Sequence, residues 1–131
     1  MKLTVGIAVI ALAAQGGAAF AQQQSEKRTA LLKNELTGAE GLEVHMWRTD
    51  IAAGVVGAKH YHPGTECIYV LQGRMNLEKV GQETLHLKAG DAHCVPPKTV
   101  LIPRNASDTE PYQSLVVMIA PKGQPIAVPV K

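Results

Sequence analysis

The chain has 131 residues, with 13 Lys and Arg against 11 Asp and Glu, and a formal net charge of +2. Lys2 is the one charged residue of residues 1–21, so the charge falls to +1 without that segment. This length allows one domain of about 110 residues after export, and so small a charge excludes a nucleic-acid or anionic-membrane partner held by electrostatics.

Lys2 precedes an apolar run from Leu3 to Ala14, and small residues then end in Ala19-Phe20-Ala21. This pattern predicts a secretory signal peptide over residues 1–21, cleaved after Ala21. The run is shorter than the roughly 20 residues a membrane helix needs, so no membrane association is expected after cleavage. Export places the mature chain in an oxidising compartment, periplasmic or secreted if the source is bacterial. Residues 22–27 are polar without a hydrophobic period and are predicted to form a flexible leader, with the folded domain over residues 28–131.

From Arg28 onward the chain breaks into short segments separated by Gly, Pro, Asn and Asp, and none sustains a helical period. Ala30 to Leu36 fits a short helix or a strand. Leu42 to Ile51 reads as a strand with Leu42, Val44 and Met46 on one face, which leaves His45 facing solvent and Trp47 a packing residue. Further strands are expected at Val55–Tyr61, Cys67–Leu71, Met75–Val80, Thr84–Leu87, Ala92–Val95, Val100–Arg104, Ser114–Ile119 and Ile126–Val130. His86 alternates with Leu85 and Leu87 and is expected at the surface. Many short strands with turn residues between them predict an all-β sandwich or barrel. Aromatic residues are only 4% of the chain, so its core must rest on Val, Leu, Ile and Ala.

The informative stretch is Gly54-x5-His60-x-His62-x3-Glu66-x6-Gly73. Two histidines at i and i+2 on a strand point to one face. Pro63-Gly64 then turns the chain, and Glu66 opens the next strand. Two imidazoles and one carboxylate form a facial donor set for a first-row divalent metal, with open positions left for water, substrate or dioxygen. Tyr61, between the histidines, faces outward by alternation. Arg74 and Arg104 read as surface charge. The absence of a Ser-His-Asp arrangement, a nucleotide-binding glycine loop and a Cys-x-x-Cys pair removes the hydrolase, nucleotide-binding and thioredoxin-like readings.

These spacings, with His62-Pro63-Gly64-Thr65-Glu66, Tyr69-Val70-Leu71-Gln72-Gly73 and Ala89-Gly90-Asp91, resemble small single-domain members of the cupin superfamily over most of the mature length. The resemblance implies a jelly-roll β-barrel with a metal held inside by His60, His62 and Glu66. The ion would be Fe, Mn, Ni, Zn or Cu, its identity open. The family's second motif runs Gly-x5-Pro-x-Gly-x2-His-x3-Asn, and here reads Gly90-x5-Pro96-x-Lys98-x2-Leu101-x3-Asn105. Lys98 replaces the second glycine, and Leu101 stands where the fourth metal ligand belongs. Three outcomes stay open: metal on three ligands with added waters, His93 as a substitute fourth ligand, or a polar pocket without metal that takes an organic ligand.

In a jelly roll the strand of Cys67 lies beside that of Cys94, and each cysteine faces away from its inward neighbour, Glu66 or Val95. A disulfide between them is therefore one expectation, and two free thiols the other. The function implied is binding of a metal and a small-molecule substrate, with oxygenase-like or isomerase-like chemistry. The alternative is a non-catalytic module for a metal or metabolite. A homodimer through edge strands is a further expectation.

Overall fold

The computed structural model describes residues 26–131, so the signal-peptide expectation and residues 22–25 of the leader lie outside the described residues. Ten strands follow in chain order: β1 (Glu26–Glu35), β2 (Leu42–Ile51), β3 (His60–Tyr61), β4 (Thr65–Gln72), β5 (Arg74–Lys79), β6 (Leu85–Lys88), β7 (Ala92–Val95), β8 (Leu101–Asn105), β9 (Tyr112–Pro121) and β10 (Val128–Pro129). They form two five-stranded sheets, β1-β2-β9-β4-β7 and β10-β3-β8-β5-β6, paired antiparallel throughout. The fold is an all-β jelly roll, with no helix among the described residues.

The core lies between the sheets, and strand alternation builds it. On β9 every second residue is buried, so Tyr112, Ser114, Val116, Met118 and Ala120 enter the interior. From the facing sheet Met75, Leu77, Leu87 and Leu101 meet them. Ala30 to Leu36, readable as helix or strand, is strand, and it pairs with β2 across a bulge between Ala30 and Leu32. β1 starts earlier than expected: Glu26 and Lys27, read as leader, pair with Ile51 and Asp50. The strand expected over Val55–Tyr61 shrinks to two residues plus a single bridge between Val56 and Arg104.

The face of β2 is the reverse of the expected one. Glu43, His45, Trp47, Thr49 and Ile51 are buried, while Leu42, Val44 and Met46 are half-buried on the outer side. His45, expected at the surface, is therefore interior. The inward polar groups satisfy one another: His45 Nε2 lies 2.9 Å from Glu43 Oε1, and Trp47 Nε1–H donates to Thr49 Oγ1 at 3.1 Å. Apolar counting misreads this strand because paired polar groups can be buried at little cost.

Cys67 and Cys94 stand directly opposite in the β4–β7 ladder and are joined as a disulfide on the outer side of the sheet. Asn105 anchors the far end of β8, where its side-chain amide donates to the carbonyls of Ile51, Ala52 and Glu110. Lys98, at the position of the family's second glycine, has a φ of 62° in the left-handed region, held by its N–H donating to the His62 carbonyl at 2.8 Å. A side chain strains that conformation, so Lys98→Gly should raise stability by about 0.5–1 kcal/mol. The urea midpoint reads this, and a lower midpoint in the variant would refute it.

Candidate functional site

His60 ends up between two neighbours because β3 pairs with β10 on one side and β8 on the other, so that Pro129 and Leu101 flank it. His62 follows two residues later on the same face. The turn at Pro63-Gly64 then presses against β9. A Cβ at Gly64 would lie 2.0 Å from the Ile119 carbonyl oxygen, so only glycine passes there. That tight passage delivers Glu66 into β4 opposite Val95 and Met118. All three side chains are buried.

The hydrogen bonds decide the chemistry of the two imidazoles. His60 Nδ1 lies 2.7 Å from the Ala58 carbonyl oxygen, and His62 Nδ1 contacts the Ile126 carbonyl oxygen. A carbonyl only accepts, so each Nδ1 carries the proton and each Nε2 keeps its lone pair. The two Nε2 atoms nevertheless stand 3.0 Å apart, and His62 Nε2 lies 3.1 Å from Glu66 Oε2. Trp47 stacks on His62 with ring centroids 5.5 Å apart and fixes its plane.

Burial governs the protonation of the site. It pushes His62 down to about 4, against the pull of the Ile126 carbonyl, and the His60 and Arg28 charges push the same way. His60 is lowered for the same first reason. Burial drives Glu66 up to about 8, with Arg28 opposing and Glu26 reinforcing. Near neutral pH both imidazoles are uncharged, and much of Glu66 holds its proton, which it can donate to His62 Nε2.

Two residues with no clear signal in the sequence complete the site. Arg28 on β1 brings Nη2 to 3.3 Å from His60 Nε2 and forms an ion pair with Glu26. Tyr112, 1% exposed, presents a hydroxyl beside the Ser114 side chain, with no well-formed hydrogen bond among the described residues. Both line one cavity with His60, His62 and Glu66, walled by apolar residues including Leu101 and Ile68. Its volume is about 30 Å³, room for an ion and a water or two and far below the roughly 300 Å³ where drug-sized pockets begin.

The other sequence candidates separate plainly. Leu101 is 1% exposed and lines the cavity, so the family's fourth-ligand position faces the site with an aliphatic group. His93 is half-buried on β7 opposite Ile68 and does not line the cavity. His86 is exposed and bonds Asn76, Arg104 pairs with Glu78, Arg74 is exposed and Tyr61 is half-buried.

Among the described residues no group of three or more His, Cys, Asp and Glu stands ready-made as a metal site. The donors instead touch pairwise. Their chemistry still fits a divalent ion: cis ligands on bonds of about 2.1 Å lie about 3.0 Å apart, the spacing seen here. Carbonyl-bound Nδ1–H groups are also the usual support of metal-binding histidines.

The family model described as a cupin domain matches residues 47–118. None of the curated proteins matches the chain. Among solved structures, the chain is similar to the DMSP lyase DddQ from Ruegeria pomeroyi DSS-3, at 20% identity and a TM-score of 0.66. That match covers 88% of this chain but only 56% of the lyase. An uncharacterized protein with a double-stranded β-helix domain from Klebsiella pneumoniae shares 25% identity over 83% of this chain and 88% of its own, with a TM-score of 0.61. A cupin-like protein from Thermotoga maritima shares 20% identity over 79% and 74%, with a TM-score of 0.62.

Proposed function

The chain belongs to the cupin domain family, and from that premise we propose that it is an exported protein whose His60, His62 and Glu66 hold a divalent metal beside a small-molecule site. One observation carries this reading. Two buried Nε2 lone pairs face each other at 3.0 Å with no proton between them; Arg28 and Glu66 can each donate to one of these nitrogens, but only an electrophile bound by both satisfies the pair together. A metal of the Fe, Mn, Ni, Zn or Cu class meets that need and, when bound, supplies Lewis-acid or oxygenase-type chemistry.

The chain's own residues would prepare the ion's surroundings. The two carbonyls would hold the imidazoles in the ligating tautomer, Trp47 would hold the plane of His62, Glu66 would give up its proton, and the apolar wall would exclude bulk water. The likeness to the DMSP lyase supports the fold alone, and lyase chemistry is not carried over. Leu101 favours the second reading, a binding module without turnover, because it removes a ligand that would tighten the ion. Product formation on adding small-molecule candidates to metal-loaded protein would decide for the enzyme, whereas stoichiometric binding without product would decide for the module.

Export is supported by the apolar N-terminal run and by the Cys67–Cys94 disulfide, which suits an oxidising compartment. The homodimer is kept as a proposal. Its candidate surface is the edge strands, with β1 at the edge of one sheet and β10 at the edge of the other.

Elemental analysis of the untagged protein, beside a His60→Ala/His62→Ala control, tests the metal reading. Near-stoichiometric metal in the parent and none in the control is the expected result. No metal in either after reconstitution would overturn it.

A further inference from the structure

We infer that Arg28 is the anion-recognition residue of the barrel cavity and that the small molecule taken there is a compact carboxylate. The inference builds on the metal reading above and adds the ligand's chemical class.

Among the described residues Arg28 is the only Lys or Arg that lines the cavity. Its side chain is 27% exposed, so the guanidinium spans from the rim to His60 Nε2, where one N–H donates at 3.3 Å. That contact is long, and an imidazole lone pair engages only one of a guanidinium's five donors. A carboxylate would engage two in parallel, the geometry for which arginine is best suited. Once a metal takes the His60 lone pair, Arg28 loses this acceptor and keeps Glu26 as its remaining partner.

Charge points the same way. With Glu26 and Glu66 ionised, Arg28 protonated and a divalent ion in place, the cavity keeps one positive charge without a partner. In a low-dielectric interior such a charge is costly, and a monoanion removes it. A second, independent observation concerns another residue lining the same cavity. Among the described residues the Tyr112 hydroxyl is buried with only the Ser114 side chain near it and makes no well-formed hydrogen bond, an uncommon state for a buried polar group. A ligand oxygen supplies that bond. The small volume sets the size, because a carboxylate head takes the space of about two waters.

The test titrates acetate, and acetamide as its neutral isostere, into Zn(II)-loaded protein followed by NMR, with zinc content and zinc affinity measured in each variant. The parent should bind acetate at least tenfold more tightly than acetamide. Arg28→Gln should lose that preference while its zinc affinity stays equal or rises, since a cation beside the ion has been removed. Tyr112→Phe should weaken acetate several-fold with zinc content unchanged. Acetate affinity within twofold of the parent in Arg28→Gln would overturn the proposal, because the anion would then be held by zinc alone. Loss of zinc and acetate together in Arg28→Gln would also overturn it, by making Arg28 a structural residue. If the parent takes up no zinc, the metal reading fails by itself. The same titration on metal-free protein then decides the carboxylate proposal, again by whether Arg28→Gln abolishes the acetate preference.

Discussion

The metal-free protein is expected to lose about 2 kcal/mol of stability as pH rises from about 6.5 to about 8, and Glu66→Gln is expected to abolish that loss. Glu66 titrates near 8 in the folded chain, against an ordinary value of 4.5. Between these values the folded state holds a proton that the unfolded state has released, so stability falls as pH rises. His62 has the opposite sign. Its folded value is about 4 against an ordinary 6.5, and across that interval the unfolded state binds the extra proton, so stability rises with pH. The direction at His60 is the same. The histidines therefore offset Glu66 up to about pH 6.5, and above it Glu66 acts alone over about 1.5 pH units, at roughly 1.4 kcal/mol each.

Urea denaturation at half-unit pH steps reads the slope directly. Glu66→Gln keeps the size and a donor toward His62 Nε2 but removes the titration, so its curve should be flat above pH 6.5. An equal fall in parent and variant would refute the assignment of the slope to Glu66. Metal changes the outcome, because a ligating carboxylate is ionised. Metal binding should release one proton in this range, and affinity should rise about tenfold per pH unit up to about pH 8.

How far the sequence reveals this site depends on whether local geometry or long-range register places each residue. His60, His62 and Glu66 were legible because i, i+2 parity and a Pro-Gly turn put them together whatever the rest of the chain does. Cys67 and Cys94 were legible by the same parity, once a jelly roll set their strands side by side. The bounds of β2 and β7 were legible too, yet the buried face of β2 was not. Its Leu, Val and Met outweigh its Glu, His and Thr on any apolar count, and only the pairing of Glu43 with His45 and of Trp47 with Thr49 makes the polar face the inner one. Arg28 had no local signal. Its place depends on the register that sets it opposite Thr49, a pairing between segments separated by a turn of uncertain length. Tyr112 was lost because the strand was expected to begin at Ser114, whereas β9 starts at Tyr112, directly after Pro111.

Leu101→His should tighten divalent-metal binding by at least ~100-fold while lowering the stability of the metal-free protein. The first half follows from position. Residue 101 lies directly opposite His60 in the β3–β8 pair, is 1% exposed and lines the same cavity, so an imidazole there is placed beside the three existing donors. Groups that merely support a ligand are worth about 10 to 100-fold in affinity, and a donor bonded to the ion should reach the upper end of that range or exceed it. The second half follows from what leucine does now. Its burial contributes about 2 kcal/mol, and an imidazole without metal leaves at least one polar nitrogen in an apolar wall. The two effects have opposite signs, which separates them from general damage to the barrel. Chelator competition gives the affinity, and thermal melts with and without metal give the stability. A destabilised variant whose metal affinity is unchanged would mean that residue 101 does not reach the ion. A variant stabilised in both states would mean that the aliphatic wall is not what holds this end of the barrel closed.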